Sequence, residues 1–578
     1  MADQPRELPG ECWELVFNSF DHHSYLEPLS LVSRGFLSIT NHLRHTLTIT
    51  EPALPFLPQL LRRFPNLKNF RFQQILGDLG PILNQIFLSG LDLESLLLSN
   101  QQSFPLLGLR SLGSKARNLK ELICFNVFNL QDADLIEIGN SFPFLEVLDI
   151  SYPDYFCGVS LNGSSDTQTY SGVVGDHGVL YISSTLKRLH KINLSGNPFI
   201  TDRALVALSS NCVLLTEIEI RHCDFITQKG IGLAMRNSAN LKCISANGIG
   251  VPSIDSFFKD SFFYVRALRE LDLSYSFLSD EFLCSIGEAC LPLKKLVLSH
   301  CYCLSFSGVS FLLSNQQSLV YLDLQGANFL TDEHMVELTK FLANLTFINL
   351  GLCSKLTNAT FFNLTTNCPL LNTINMERTN LGVEEFSTEV VVHAHVKSLF
   401  LSGNNSLNDE CIKKVAYVCP NLEVLDIASC FNLTEEGIIE ILKGCQRIRS
   451  LEINVCREVK NLQIDFEVPR LEVLQAQKLI IDDEALAFIG KRCPRLSKLD
   501  LKGCFNVTAK GVKEVILNCR ALREINLRWC DNVRINNVAW MVCSRPSLRK
   551  IIVPAPCYLP GMKEKDFLLR HGCLVCEN

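Results

Sequence analysis

The chain has 578 residues, 47% of them hydrophobic and 20% charged, with a formal net charge of −6. This composition excludes a disordered chain, and so mild a negative charge excludes a general nucleic-acid binder. No apolar run approaches the roughly 20 residues that cross a bilayer, so no membrane role is expected, and Met1 to Glu11 lacks the apolar core of a secretory signal.

Residues 7 to 46 read as short helices. Pro9 opens one whose apolar residues are Trp13, Val16, Phe17 and Phe20. Ser24 followed by Glu27 has the form of a capping box, with Pro28 early in the helix it would start. Leu29, Val32 and Phe36 then share a face at spacings of three and four. So small a piece holds too little core to stand alone, and its plain reading is a helical cap on the rest of the chain.

From residue 67 a repeat takes over. The stretch Cys493 to Cys519 holds one unit, a strand around Leu499 and a helix opened by Thr508. Residues equivalent to Leu499 are Phe70, Leu96, Leu122, Leu148, Ile192, Ile218, Ile244, Leu271, Leu296, Leu322, Ile348, Ile374, Leu399, Leu425, Leu451, Leu474, Ile525 and Ile551. They recur every 23 to 27 residues, with one longer step, and this is the period of leucine-rich repeats. Neither element buries its apolar side alone, so copies must stack. The expected fold is α/β: about 18–19 repeats in a right-handed solenoid over 47–553, with a concave parallel sheet and convex helices. Residues 554–578 form a C-terminal cap, since Pro554, Pro556 and Pro560 end the strand pattern.

The register also organises the 25 cysteines. Cys212, Cys290, Cys368, Cys419, Cys445, Cys493 and Cys519 each lie six before an anchor, and Cys223, Cys301, Cys353, Cys430, Cys456, Cys504 and Cys530 lie five after one. That favours reduced thiols buried as small apolar residues over disulfides or metal. The best local zinc candidate, Cys573 and Cys576 near His571, has no second pair, so no metal is expected. Thr201, Thr227, Thr331, Thr357, Thr434 and Thr508 stand nine after an anchor as helix caps. With no entry signal, the expected location is cytoplasm or nucleus.

The long step from Leu148 to Ile192 carries an insertion near 152–172, whose glycines and Ser/Thr cluster make it a rim loop. Tyr152, Tyr155 and Phe156 are its aromatic candidates for contacting a target. A column of Asp, Asn and Glu one after each anchor, from Asp149 to Asn526, reads as ordinary repeat structure. Near the C-terminus Lys498, Lys502, Arg528 and Lys550 project from three consecutive strands beside Trp529, a candidate site for phosphate or an acidic peptide. No catalytic or phosphate-binding motif is present, so the chain reads as non-catalytic.

Leu8-Pro9, Glu11, Val16-Phe17, Phe20, Leu31-Val32-Ser33-Arg34 and Phe36 together resemble the F-box motif, with Phe36 where that family more often has Trp. The repeats resemble the cysteine-containing leucine-rich repeats commonly paired with it. The resemblance implies a three-helix F-box over 1–46 that docks a Skp-type adaptor through Leu8, Pro9, Glu11, Val16, Phe17, Leu29, Val32 and Phe36. Through that adaptor it implies a cullin/RING complex, with the solenoid holding an unknown target for ubiquitination. Similarity in plan to the plant hormone receptors adds inositol phosphate as a cofactor to test at the basic cluster; otherwise no cofactor is expected. Two rival readings remain. An intracellular scaffold would lack the adaptor. An extracellular recognition protein would use the sequons at Asn344, Asn358, Asn363, Asn432 and Asn506.

Overall fold

The computed structural model describes residues 8–20, 26–73, 75–116, 118–153, 173–250, 265–383, 391–533, 538–554 and 568–576. The chain forms two compact units, Met1–Pro292 and Leu293–Asn578. This division falls inside the repeats and not at their head.

The first unit opens on three helices, α1 (Gly10–Asn18), α2 (Leu26–Ser30) and α3 (Arg34–Leu43). Phe17, Leu26 and Leu43 form their core, with Trp13, Leu29, Phe36 and Ile39 packed around it. The Phe36 ring centroid lies 4.9 Å from that of Trp13 and 5.0 Å, edge-on, from that of Phe17. Aromatic pairs of this geometry add to simple burial. Ser33 caps α3, its hydroxyl accepting from the Phe36 N–H at 3.1 Å. The capping box expected at Ser24 lies outside the described residues.

Parallel strands come next. Thr46–Thr50 pairs with Asn69–Gln73, placing Leu47 beside Phe70, one strand earlier than the sequence periodicity starts. The anchors then stand side by side from Phe70 to Leu271, and Leu148 meets Ile192 in register across the insertion. In the second unit the anchors run from Leu296 to Ile551 in the same way. The prolines do not end the ladder: Leu574–Cys576 adds a further parallel strand against Lys550–Ile552. Most of the anchors are fully buried, each burial contributing roughly 1.5–3 kcal/mol. Among the steps described from end to end, the expected alternation of strand and helix fails once. The shortest step, Leu451 to Leu474, spans Asn454 to Arg470 without a helix and buries Leu462 and Ile464 from irregular backbone instead.

Three ladders, two of side chains and one of backbone, lock one turn to the next. All six threonines nine after an anchor cap their helices, each hydroxyl accepting a backbone N–H. The first residue of the preceding helix reaches across to five of them. Asp483, for example, accepts from the Thr508 N–H at 2.7 Å and the Thr508 hydroxyl at 2.5 Å, and Asp176, Asp202, Asp332 and Asp409 do the same.

Twelve of the fourteen register-bound cysteines are buried thiols; Cys290 is exposed and Cys301 partly so, against expectation. Their role is also more than apolar filling. The thiols of Cys504 and Cys530 donate at 3.0 Å to the carbonyls of Ala476 and Leu501 in the preceding turn. Asn197 and Asn404 occupy the same register and donate to the equivalent carbonyls, Ile150 and Met376. Where a cysteine or asparagine stands here it donates across the turn, while Val127, Ile249, Ala327 and Leu479 fill the same position as buried apolar residues. Burial pushes the Cys504 thiol up to about 12, so it stays protonated and able to donate.

The third ladder lies four residues after each anchor. There the backbone adopts positive φ at Asn100, Asn126, Tyr152, Gly196, His222, Gly248 and Tyr275 in the first unit. In the second it does so at His300, Gly326, Leu352, Arg378, Gly403, Ser429, Val455, Lys478, Gly503 and Trp529. The turn aims each N–H at the next repeat, as from Lys478 to the Lys502 carbonyl and from Gly503 to the Arg528 carbonyl, both 2.8 Å. Glycine suits Gly326, where a Cβ would stand 2.8 Å from the His300 ring and would have to displace it.

Candidate functional site

Two surfaces carry the candidate residues. On the head, helical phase divides α1: Trp13 and Phe17 face inward, while Leu15 is 73% exposed and Val16 42%. In the turn before α3, Leu31 is 86% and Val32 65% exposed. Of the residues expected to dock an adaptor, Leu8, Pro9, Glu11, Val16 and Val32 lie at the surface. Phe17, only 3% exposed, belongs to the head's own core, and Leu29 and Phe36 are half-buried against that core. Sequence reasoning placed Leu31 in the motif but not in the docking set, and it missed Leu15, although phase offered the signal, since Leu15 falls off the Trp13–Phe17 stripe.

The head meets the first turn of the coil through polar contacts. The Arg63 guanidinium donates to Asn41 at 3.0 Å, the Asn66 amide donates to the His42 carbonyl at 2.9 Å, and Arg44 sits over the Phe64 ring. A cleft of about 250 Å³ lies between them, lined by Leu26, Arg44, Leu47 and Phe64 among others.

On the repeats, the acidic and amide column proves structural. Asp500 accepts from the Lys502 N–H at 3.0 Å and from the Asn526 amide at 3.1 Å, and Asn349 donates to Asp323 at 3.0 Å. Asp500 and Asn349 each accept the N–H two residues on, as the chain leaves its strand, and are tied to a neighbouring strand. Desolvation raises Asp426, in the same column, to about 6, opposed by a hydrogen bond from the Ala428 N–H.

Tyr152 lies with its ring 6.1 Å from Phe125 and 6.2 Å from His222. Tyr155 and Phe156 lie outside the described residues. The four expected basic residues do not form one patch. Lys498 and Lys550 flank Glu524 in register, and Lys498 pairs with that carboxylate at 3.8 Å. Lys502 and Arg528 instead leave the ends of their strands and converge on Trp529, at 4.6 and 4.9 Å from its ring. The sequons also serve the fold. Asn358 is 2% exposed, and the Asn344 and Asn506 amides donate to Gln317 and Ile480 carbonyls in the preceding turns.

No family model matches the chain. Curated relatives do. F-box/LRR-repeat protein 4 of Bos taurus is 27% identical over 235 residues, 36% of this chain and 36% of that protein. F-box protein SKIP1 of Arabidopsis thaliana is 22% identical over 166 residues, 25% of this chain and 55% of its own length. The chain resembles F-box/leucine-rich-repeat proteins. The matches thus span between about a third and just over half of these relatives' own lengths. Among solved structures, a chain of the yeast Rad7 and Elc1 complex aligns with 80% of this chain and 92% of its own, at 18% identity and a TM-score of 0.42.

Proposed function

We propose that the chain is the substrate-recognition subunit of a Skp–cullin–F-box ubiquitin ligase. The apolar face of the head carries this reading. Leu15, Leu31 and Val32 stand mostly in water beside a core that Phe17, Leu26 and Leu43 already close. Covering that face recovers about 25 cal/mol for each Å² of apolar surface, which is the driving force for a partner. The F-box names of the relatives support a Skp-type adaptor as that partner, with cullin and RING subunits beyond it.

In this reading the repeats hold a target protein, and the chain's contribution is positional. It raises the target's effective concentration beside the ubiquitin-carrying enzyme and makes no bond itself. We assign this work to the cytosol or nucleus, which the many buried free thiols favour.

The test replaces Leu15, Leu31 and Val32 with aspartate and measures co-purification with a recombinant Skp-type adaptor. Recovery should fall at least tenfold while the melting temperature holds, because these side chains contribute little to the head's own core. Unchanged recovery would overturn the docking assignment. Phe17→Ala should lower both readouts together.

A further inference from the structure

The edge loops of the second unit carry a series of cations that the register alone does not reveal. Arg457, Lys478, Lys502 and Arg528 follow four consecutive strands, Ser450–Glu452, Val473–Gln475, Lys498–Asp500 and Glu524–Asn526. None of the four makes an ion pair among the described residues. Aromatic rings stand beside three of them. Arg457 lies over Phe431 at 5.4 Å, and Lys502 and Arg528 both lie over Trp529. Phe505 is 57% and Trp529 42% exposed. The left-handed turns join these residues into one edge: the Lys478 N–H donates to Lys502, the Gly503 N–H donates to Arg528, and the Lys478 side chain lies against Gly503. Of the carboxylates nearby, Asp500 is engaged by backbone and amide donors and Glu458 by Lys460 at 2.8 Å.

We propose that this edge binds an extended acidic peptide segment whose carboxylates are interleaved with apolar side chains. Lys502 and Arg528, each three after its anchor, stand one strand apart, about 5 Å, with Lys478 and Arg457 on the two turns before them, and such a series matches a chain laid along the edge better than a compact polyanion. The rings offer apolar contacts beside the charges, and Arg457, Lys502 and Arg528 are already oriented by a ring, so less side-chain freedom is lost on binding. That the segment belongs to a ubiquitination target rests on the ligase reading above; the binding itself does not.

The test uses the full chain on an array of immobilised twelve-residue peptides. In these, Asp or Glu at every second position alternates with Phe, Leu or Ser, and matched peptides carry Lys in place of the acids. Wild-type protein should bind the acidic–apolar peptides in a salt-sensitive way and ignore the Lys set. The K502E/R528E double variant should lose at least tenfold, W529A several-fold, and K510E, on the exposed start of helix Ala509–Asn518, nothing. Melting curves confirm that each variant is folded. No binding to any acidic peptide, or equal binding by the double variant, would overturn the proposal. So would binding of inositol hexakisphosphate alone at these residues. Retained peptide binding with lost adaptor recovery would sink the ligase reading alone.

Discussion

Gln316 stands six residues before the anchor Leu322, the place that Cys212, Cys368, Cys419, Cys445, Cys493 and Cys519 hold in other turns. It is 1% exposed, and neither its Oε1 nor its Nε2 has a hydrogen-bond partner. A buried amide without partners costs roughly 1–3 kcal/mol. Gln316→Cys should therefore raise the urea midpoint of unfolding, and an unchanged or lower midpoint would show that the amide is satisfied. Asp426 tests burial of a charge in the same way. Its pKa is raised from the ordinary value near 3.8 to about 6, so the folded chain holds the proton more tightly than the unfolded chain. Stability from this group accordingly falls as pH rises from about 4 to 6 and stays lost above. Asp426→Asn keeps an acceptor for the Ala428 N–H and removes the charge. It should stabilise at pH 7.5, by on the order of 1–2 kcal/mol, and have little effect at pH 4. Equal effects at both values would refute the shift.

At the scale of the repeat, the bond from each helix's first aspartate to the next threonine cap makes neighbouring turns depend on one carboxylate. Asp483→Ala would strip two acceptors from Thr508 and leave its N–H and hydroxyl half-buried. It should cost about 1.5–3 kcal/mol, more than the ~1 kcal/mol expected for Thr508→Ala, which removes only the cap. A smaller loss for the aspartate, measured by chemical unfolding, would mean the ladder is incidental. The threonines were legible from sequence because a cap must be a short polar side chain at a fixed step from the anchor. The anchors were legible because a one-residue slip would turn each apolar side chain to water. The left-handed turns were not, since Asn, Tyr, His, Leu, Val, Lys and Trp all occupy them and glycine appears in only some turns. There the inter-turn hydrogen bond overrides local preference, even for β-branched Val455 at φ 64. The basic cluster was misread for a related reason. Residues four apart in sequence, Lys498 and Lys502, leave at opposite ends of one strand, and Glu524 neutralises only the former.

Across the whole molecule, each strand and helix contacts chiefly the turns before and after it, so disturbance should decay along the coil and not spread through it. Gly382 offers a severe local disturbance. At φ 103 it donates its N–H to Asn358, and a Cβ there would lie 2.1 Å from the Ser406 carbonyl oxygen. Neither group can yield cheaply, because one is backbone and the other is fixed in the next turn. Gly382→Val should therefore speed hydrogen exchange in strands Thr373–Asn375, Ser398–Phe400 and Val424–Asp426. Strands Glu524–Asn526 and Lys550–Ile552, in the same unit but several turns away, should keep their protection. Uniform loss across all five would mean that the unit unfolds as one cooperative body. The head supplies the contrast. Its exposed leucines stand outside every ladder, so their replacement should register in partner recovery and nowhere in exchange, because only the loss of a partner, not of a packing contact, is available to them.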